Sequence, residues 1–123
     1  MLREPSHQVS PRAIPDEKVN GALTVGENIG DLGGLTIAHT AFLIAQGGEA
    51  SIEDRAKLFF NWAYVWRTKR RLEQEQQYLT IDPHSPPEFR ANIVRNLDEF
   101  HEVFGTAEGD GLWLDPGERV RIW

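Results

Sequence analysis

The chain has 123 residues, 40% hydrophobic and 26% charged, proportions of a globular protein rather than a disordered one. Its 13 Lys and Arg against 19 Asp and Glu leave a net charge of −6, which argues against nucleic acid or an anionic membrane as the main partner. Cysteine is absent, which excludes disulfides and cysteine-ligated metal, and no apolar run reaches the ~20 residues that span a bilayer. The length suits one domain or a piece of a larger one. The opening Met1-Leu2-Arg3-Glu4-Pro5-Ser6 lacks the apolar core of a secretory signal.

Residues 1–18, with Pro5, Pro11 and Pro15, read as an extended lead-in. From Val25 to about Gln46 a proline-free stretch predicts a helix, with Thr24 as N-cap, Glu27 completing a capping box and Gly47-Gly48 as the stop. Gly30, Gly33 and Gly34 each lower its intrinsic propensity by about 1 kcal/mol relative to Ala, so packing has to hold it. Ser51 predicts the cap of a second helix running to about Arg71, whose Leu58, Phe59, Trp62, Val65 and Trp66 recur on one broad face. The basic cluster Arg67, Lys69, Arg70 and Arg71 reads as a solvated helix face. Arg70–Tyr78 either continues that helix or forms a separate amphipathic turn. Three prolines between Asp82 and Arg90 predict a stiff loop. Asn96 and Glu99 predict the cap of a short last helix closed by Gly105.

The first helix carries the chemistry. On a helical wheel Glu27 and Asp31 lie about 40° apart, with Gly34, Ala38, Ala41 and Ala45 close to the same line. Ile29, Leu32, Ile37, Leu43 and Ile44 occupy the other sides, the pattern of a buried helix. Between Val19 and Gly48 these two acids are the only charged side chains, so burial demands an ion pair, hydrogen bonds or a bound cation. Two acids at this spacing near a helix start also suit a plain solvated face, and periodicity alone does not separate a metal ion from an arginine as their partner. His39 lies about 120° from Glu27 and reads as a core or interface histidine; His7 and His101 have no ligand spacing.

Four ordered segments resemble the neprilysin-like (M13) zinc metallopeptidases. Val19–Gly34, with Gly26-Glu27-Asn28-Ile29-Gly30-Asp31, is similar to the family string N-G-x-x-T-L-G-E-N-I-A-D-x-G-G, departing at Val25 and Gly30. Leu58–Arg67 resembles F-F-x-x-[FW]-A-x-V-W, Asp82–Arg90 resembles D-x-H-S-P-x-x-F-R, and Arg119–Trp123 resembles the closing [CV]-R-[VI]-W. The resemblance covers residues 19–123. It implies a mainly α fold with little sheet, the C-terminal portion of a thermolysin-like (gluzincin) catalytic domain. It implies peptide-bond hydrolysis at a single zinc, with Glu27 as the third metal ligand and Asp31 accepting a hydrogen bond from a zinc-bound imidazole. By the same comparison His84 donates to the oxyanion, Arg90 binds a substrate carbonyl, and Val65 and Trp66 line the pocket for the residue after the cut. Without that comparison His84 reads as a surface histidine, Arg90 as a surface ion-pair partner, and Trp66 as core.

The family's H-E-x-x-H helix, source of two zinc ligands and the catalytic base, is absent from these 123 residues. The expectation is therefore a segment that works with an upstream H-E-x-x-H-bearing part on a peptide or small-protein substrate. The segment alone would be inactive, poor at holding zinc, and prone to self-association through its small-residue strip. The competing expectation is a non-catalytic helical module that binds a partner through the Glu27/Asp31 face. Full-length relatives are often membrane-anchored or secreted, and this sequence leaves the compartment open.

Overall fold

The computed structural model describes residues 9–123. Within them the fold is all helix and ordered loop: α1 (Gly21–Ala45), α2 (Ile52–Val65), α3 (Leu72–Ile81), α4 (Pro87–Ala91), a 3₁₀ turn (Asn92–Asn96) and α5 (Asp98–Phe104). The mainly α expectation holds. No described helix is long and apolar enough to cross a membrane. Residues 1–8 of the lead-in, with His7, lie outside the described part. The remainder of the lead-in folds into turns, with Ile14 and Val19 buried and the Val19 N–H donating to the Val9 carbonyl at 3.0 Å.

α1 starts four residues before the expected point. Asn20, not Thr24, is the cap, its side chain accepting from the Leu23 N–H. Thr24 instead turns its hydroxyl back to the Asn20 carbonyl at 3.2 Å, so it is spent inside the helix. The stop falls at the expected glycines, where positive φ at Gly47 and Gly48 lets the Gly48 N–H reach the Leu43 carbonyl at 2.8 Å. Ser51 caps α2 by accepting from the Asp54 N–H at 3.0 Å.

α2 ends at Val65, and the basic residues after it are not helical. Two of them fold back on aromatic rings: Arg67 over Tyr64 at 4.5 Å and Arg70 over Tyr78 at 4.7 Å. α3 is a separate helix. Prolines do not keep the whole Asp82–Arg90 segment irregular, because Pro87 occupies the first turn of α4, where a missing N–H costs nothing. Asn96 does not cap α5; its side-chain Oδ1 accepts from the Val120 N–H at 2.9 Å and ties the last segment to the body.

The core joins Leu32 and Leu35 of α1, Phe59 of α2, Val94 and Leu97 of the 3₁₀ turn, and Phe100 and Val103 of α5. Burying side chains of this size contributes roughly 1.5–3 kcal/mol each. Phe59 meets Phe100 edge-on at 5.6 Å and stacks against the buried His39 at 6.0 Å, confirming His39 as a core residue. α1 is buried on one side only. Ile37 is 57% and Ile44 72% exposed, and Gly34, Ala38, Ala41 and Ala45 lie open beside them. The apolar pattern around the whole helix describes two faces, one of which has no cover among the described residues.

Candidate active site

The N-terminal half of α1 and the segment from Asp82 to Arg90 face one another. Glu27 Oε2 lies 3.2 Å from His84 Nε2, with the Glu27 side chain 51% exposed. One helical turn on, Asp31 is 10% exposed and takes a bidentate pair from Arg90, Nε to Oδ2 and Nη2 to Oδ1, both at 2.7 Å. This geometry is the strong form of a charge-assisted hydrogen bond. The two acids that periodicity placed on one face thus meet the histidine and the arginine of the proline-stiffened segment.

Arg90 is held from three sides. Its guanidinium sits 3.8 Å over the Trp66 ring, and its carbonyl accepts from Trp62 Nε1 at 3.0 Å. Half-buried Trp66 and exposed Val65 line an open cavity of about 160 Å³ with Arg70, Tyr78, His84 and Arg90. The residues expected to flank a substrate side chain therefore share one wall with the residues expected to touch its backbone.

Two participants escaped the sequence reading. Asp82 Oδ1 accepts from the His84 backbone N–H at 2.9 Å and faces His84 Nδ1 at 2.7 Å. Burial pulls the Asp82 carboxyl up, but these His84 bonds, with the His84 and Arg70 charges, win and hold it below the usual range. An Asp two residues before a residue whose N–H needs an acceptor is the signature of an Asx turn, and that signal was present. The second participant is Ser85, whose hydroxyl donates to Asn28 Oδ1 at 2.7 Å.

His84 thus stands between two carboxylates, one on each ring nitrogen. As an imidazolium it is a donor at both ends. Glu27 is half-exposed and, among the described residues, pairs only with His84; a carboxylate so placed has the chemistry to serve as one zinc ligand of four. Among the described residues no group of three or more His, Asp or Glu could hold a metal ion.

The sequence model of peptidase family M13 matches residues 3–120. The chain belongs to peptidase family M13. The "Neutral endopeptidase" of Lactococcus lactis subsp. lactis is 42% identical over 105 residues, covering 85% of this chain and 16% of that protein. Human "Endothelin-converting enzyme 1" is 34% identical over 125 residues, covering 94% of this chain and again 16% of the relative. Among solved structures, the zinc metalloprotease Zmp1 of Mycobacterium tuberculosis in its open state superposes with a TM-score of 0.85 at 46% identity, over 95% of this chain and 20% of that one. This M13 segment therefore spans about a sixth of the length of the curated relatives it matches.

Proposed function

We propose that the segment forms one side of the active site of a zinc metalloendopeptidase, the other side being an H-E-x-x-H-bearing part of the same protein. The observation that carries this reading is the pairing of two distant motifs, Glu27 with His84 and Asp31 with Arg90. In this reading Glu27 is the metal ligand this segment contributes. When bound, zinc polarises the scissile carbonyl and makes water nucleophilic at neutral pH. Asp31, oriented by its bidentate pair with Arg90, accepts a hydrogen bond from a histidine ligand and sets its tautomer.

His84, oriented by Asp82, turns its Nε2–H toward the negative charge that develops on the substrate oxygen. A donor in this role contributes ~3–4 kcal/mol to the transition state in other hydrolases. Arg90 has one guanidinium nitrogen, Nη1, outside its pair with Asp31, and offers it to a substrate carbonyl. Trp66 and Val65 receive the side chain after the cut, with peptides or small proteins as the substrate class. The open strip of α1, Gly34 to Ala45, is where the H-E-x-x-H helix packs, since small residues allow close approach.

The deciding experiment is Glu27→Gln in the complete enzyme. Zinc content after dialysis should fall to a small fraction of the protein concentration, and peptide cleavage with it, while the 123-residue segment alone should retain no stoichiometric zinc. Equimolar zinc in the Glu27→Gln enzyme would overturn the assignment. The alternative of a non-catalytic module draws on the exposed Ile37 and Ile44; it requires partner binding that survives Glu27→Gln in a protein that cleaves nothing.

A further inference from the structure

We propose that the Ser85–Asn28 hydrogen bond is a positioning strut, which keeps His84 in register with α1 while the charged groups of the site exchange partners. The inference rests on the reading of His84 as a substrate-facing donor. Among the described residues three side-chain links join α1 to the 82–90 segment: Glu27–His84, Asn28–Ser85 and Asp31–Arg90. The outer two use groups that the chemistry needs elsewhere. Glu27 has to turn to the metal and His84 to the substrate oxygen, which separates that pair at the moment alignment matters. Arg90 has to offer a donor to the substrate as well as to Asp31.

The middle link has no such competing duty. It is neutral, so neither a bound cation nor a change of protonation within the working range disturbs it. Ser85 is 6% exposed, and its hydroxyl lies 2.7 Å from Asn28 Oδ1. The direction of the bond follows from its neighbours. The buried Thr24 hydroxyl donates to the Asn20 carbonyl, which leaves its oxygen to face Asn28 Nδ2 at 3.5 Å. The amide is thereby turned with its oxygen toward Ser85, and the Ser85 hydroxyl donates.

Rigidity carries the effect to His84. Ser85 precedes Pro86 and is restricted to extended backbone, and His84 follows Pro83. Asp82 fixes His84 within the segment through backbone and ring, and Ser85 fixes the segment to the helix. Remove the strut, and the imidazole keeps its shape but loses its place. A misplacement of about 1 Å at a reacting group costs roughly a hundredfold in rate.

The test is a double-mutant cycle in the complete enzyme. Ser85→Ala should lower kcat at least tenfold, with KM within twofold and zinc content unchanged. Asn28→Ala, which removes the same bond from the helix side, should reproduce this, and decides the matter if Ser85→Ala does not fold. In a His84→Ala background Ser85→Ala should change kcat less than twofold, because there is no longer a donor to position. A full additive loss in that background, or unaltered kcat in both single variants, overturns the strut. Should His84→Ala itself leave kcat untouched, it is the active-site reading of His84 that fails.

Discussion

Arg90 shows how much a single side chain integrates: its charge answers Asp31, its plane lies on Trp66, and its carbonyl is held by Trp62. Lysine at this position could keep the charge but not the fork. Removing the guanidinium leaves Asp31, 10% exposed, without its cation. Breaking one side of a buried pair costs about 3–5 kcal/mol, and the partial exposure of Arg90 places this pair near the lower end. Arg90→Ala should therefore lower the urea midpoint by the equivalent of about 3 kcal/mol, with Arg90→Lys between that and wild type; a loss under about 1 kcal/mol would show that the pair is not sealed from water. Much of this site was legible from residue identity, since the motif strings name Glu27, Asp31, His84 and Arg90. Pairing was not, because residues some 57 to 59 positions apart leave no periodic trace. Asn28 and Ser85 were invisible for the same reason, being ordinary polar residues until the backbone brings them together.

At the scale of elements, what misled was the choice among plausible caps and breakers. Asn20, Thr24 and Asn96 all have capping chemistry, and only the fold decides that one caps, one bonds backward and one serves a distant strand of chain. Pro87 excludes a helix interior and for the same reason begins α4. The stops at Gly47-Gly48 and Gly105, by contrast, were read correctly, because positive φ there is a local demand that glycine meets. The end of α2 at Val65, with no glycine to mark it, was placed about six residues too late. α5 also anchors the last segment: Asp98 accepts from Arg119 Nη1 at 2.7 Å and from Arg121, while Arg119 Nε reaches the Leu114 carbonyl. The Arg119 bond, followed by the charges of Arg121 and Arg119 against the opposing pull of burial, holds the Asp98 carboxyl below its usual range. Such a depressed carboxyl adds stability above its unfolded value of about 3.9, and that stability is lost as pH falls through the lower folded value. Acid unfolding of Asp98→Asn should accordingly show a shallower dependence below about pH 4 than wild type, read by circular dichroism. Identical acid profiles would remove Asp98 from the account.

For the molecule as a whole, the core packs one side of α1 and, among the described residues, leaves the other open. Leu32, Leu35 and His39 sit under α2 and α5, whereas Ile37, Ile44 and the small residues between them face outward. Hydrophobic periodicity reported both faces alike, since it registers what a helix is able to bury and not whether a neighbour is present. Gly34 lies on the open face, where an added methyl would meet nothing within 4 Å. Gly34→Ala should raise the melting stability of the 123-residue chain by up to about 1 kcal/mol through helix propensity alone. On the proposed packing of an H-E-x-x-H helix against this strip, the same methyl in the complete enzyme should weaken zinc retention and slow cleavage. Equal stabilisation in both contexts would mean that no helix approaches there.

A glycine with room around it is the residue a stability screen replaces first. If an H-E-x-x-H helix packs on this face as proposed, such a screen, run on this chain, would select against the assembled enzyme. Three vacant glycine sites in the interior of α1, Gly26, Gly30 and Gly34, make the helix weaker than it could be, and on the proposed packing they preserve the footprint of a neighbour in the sequence of the part that lacks it.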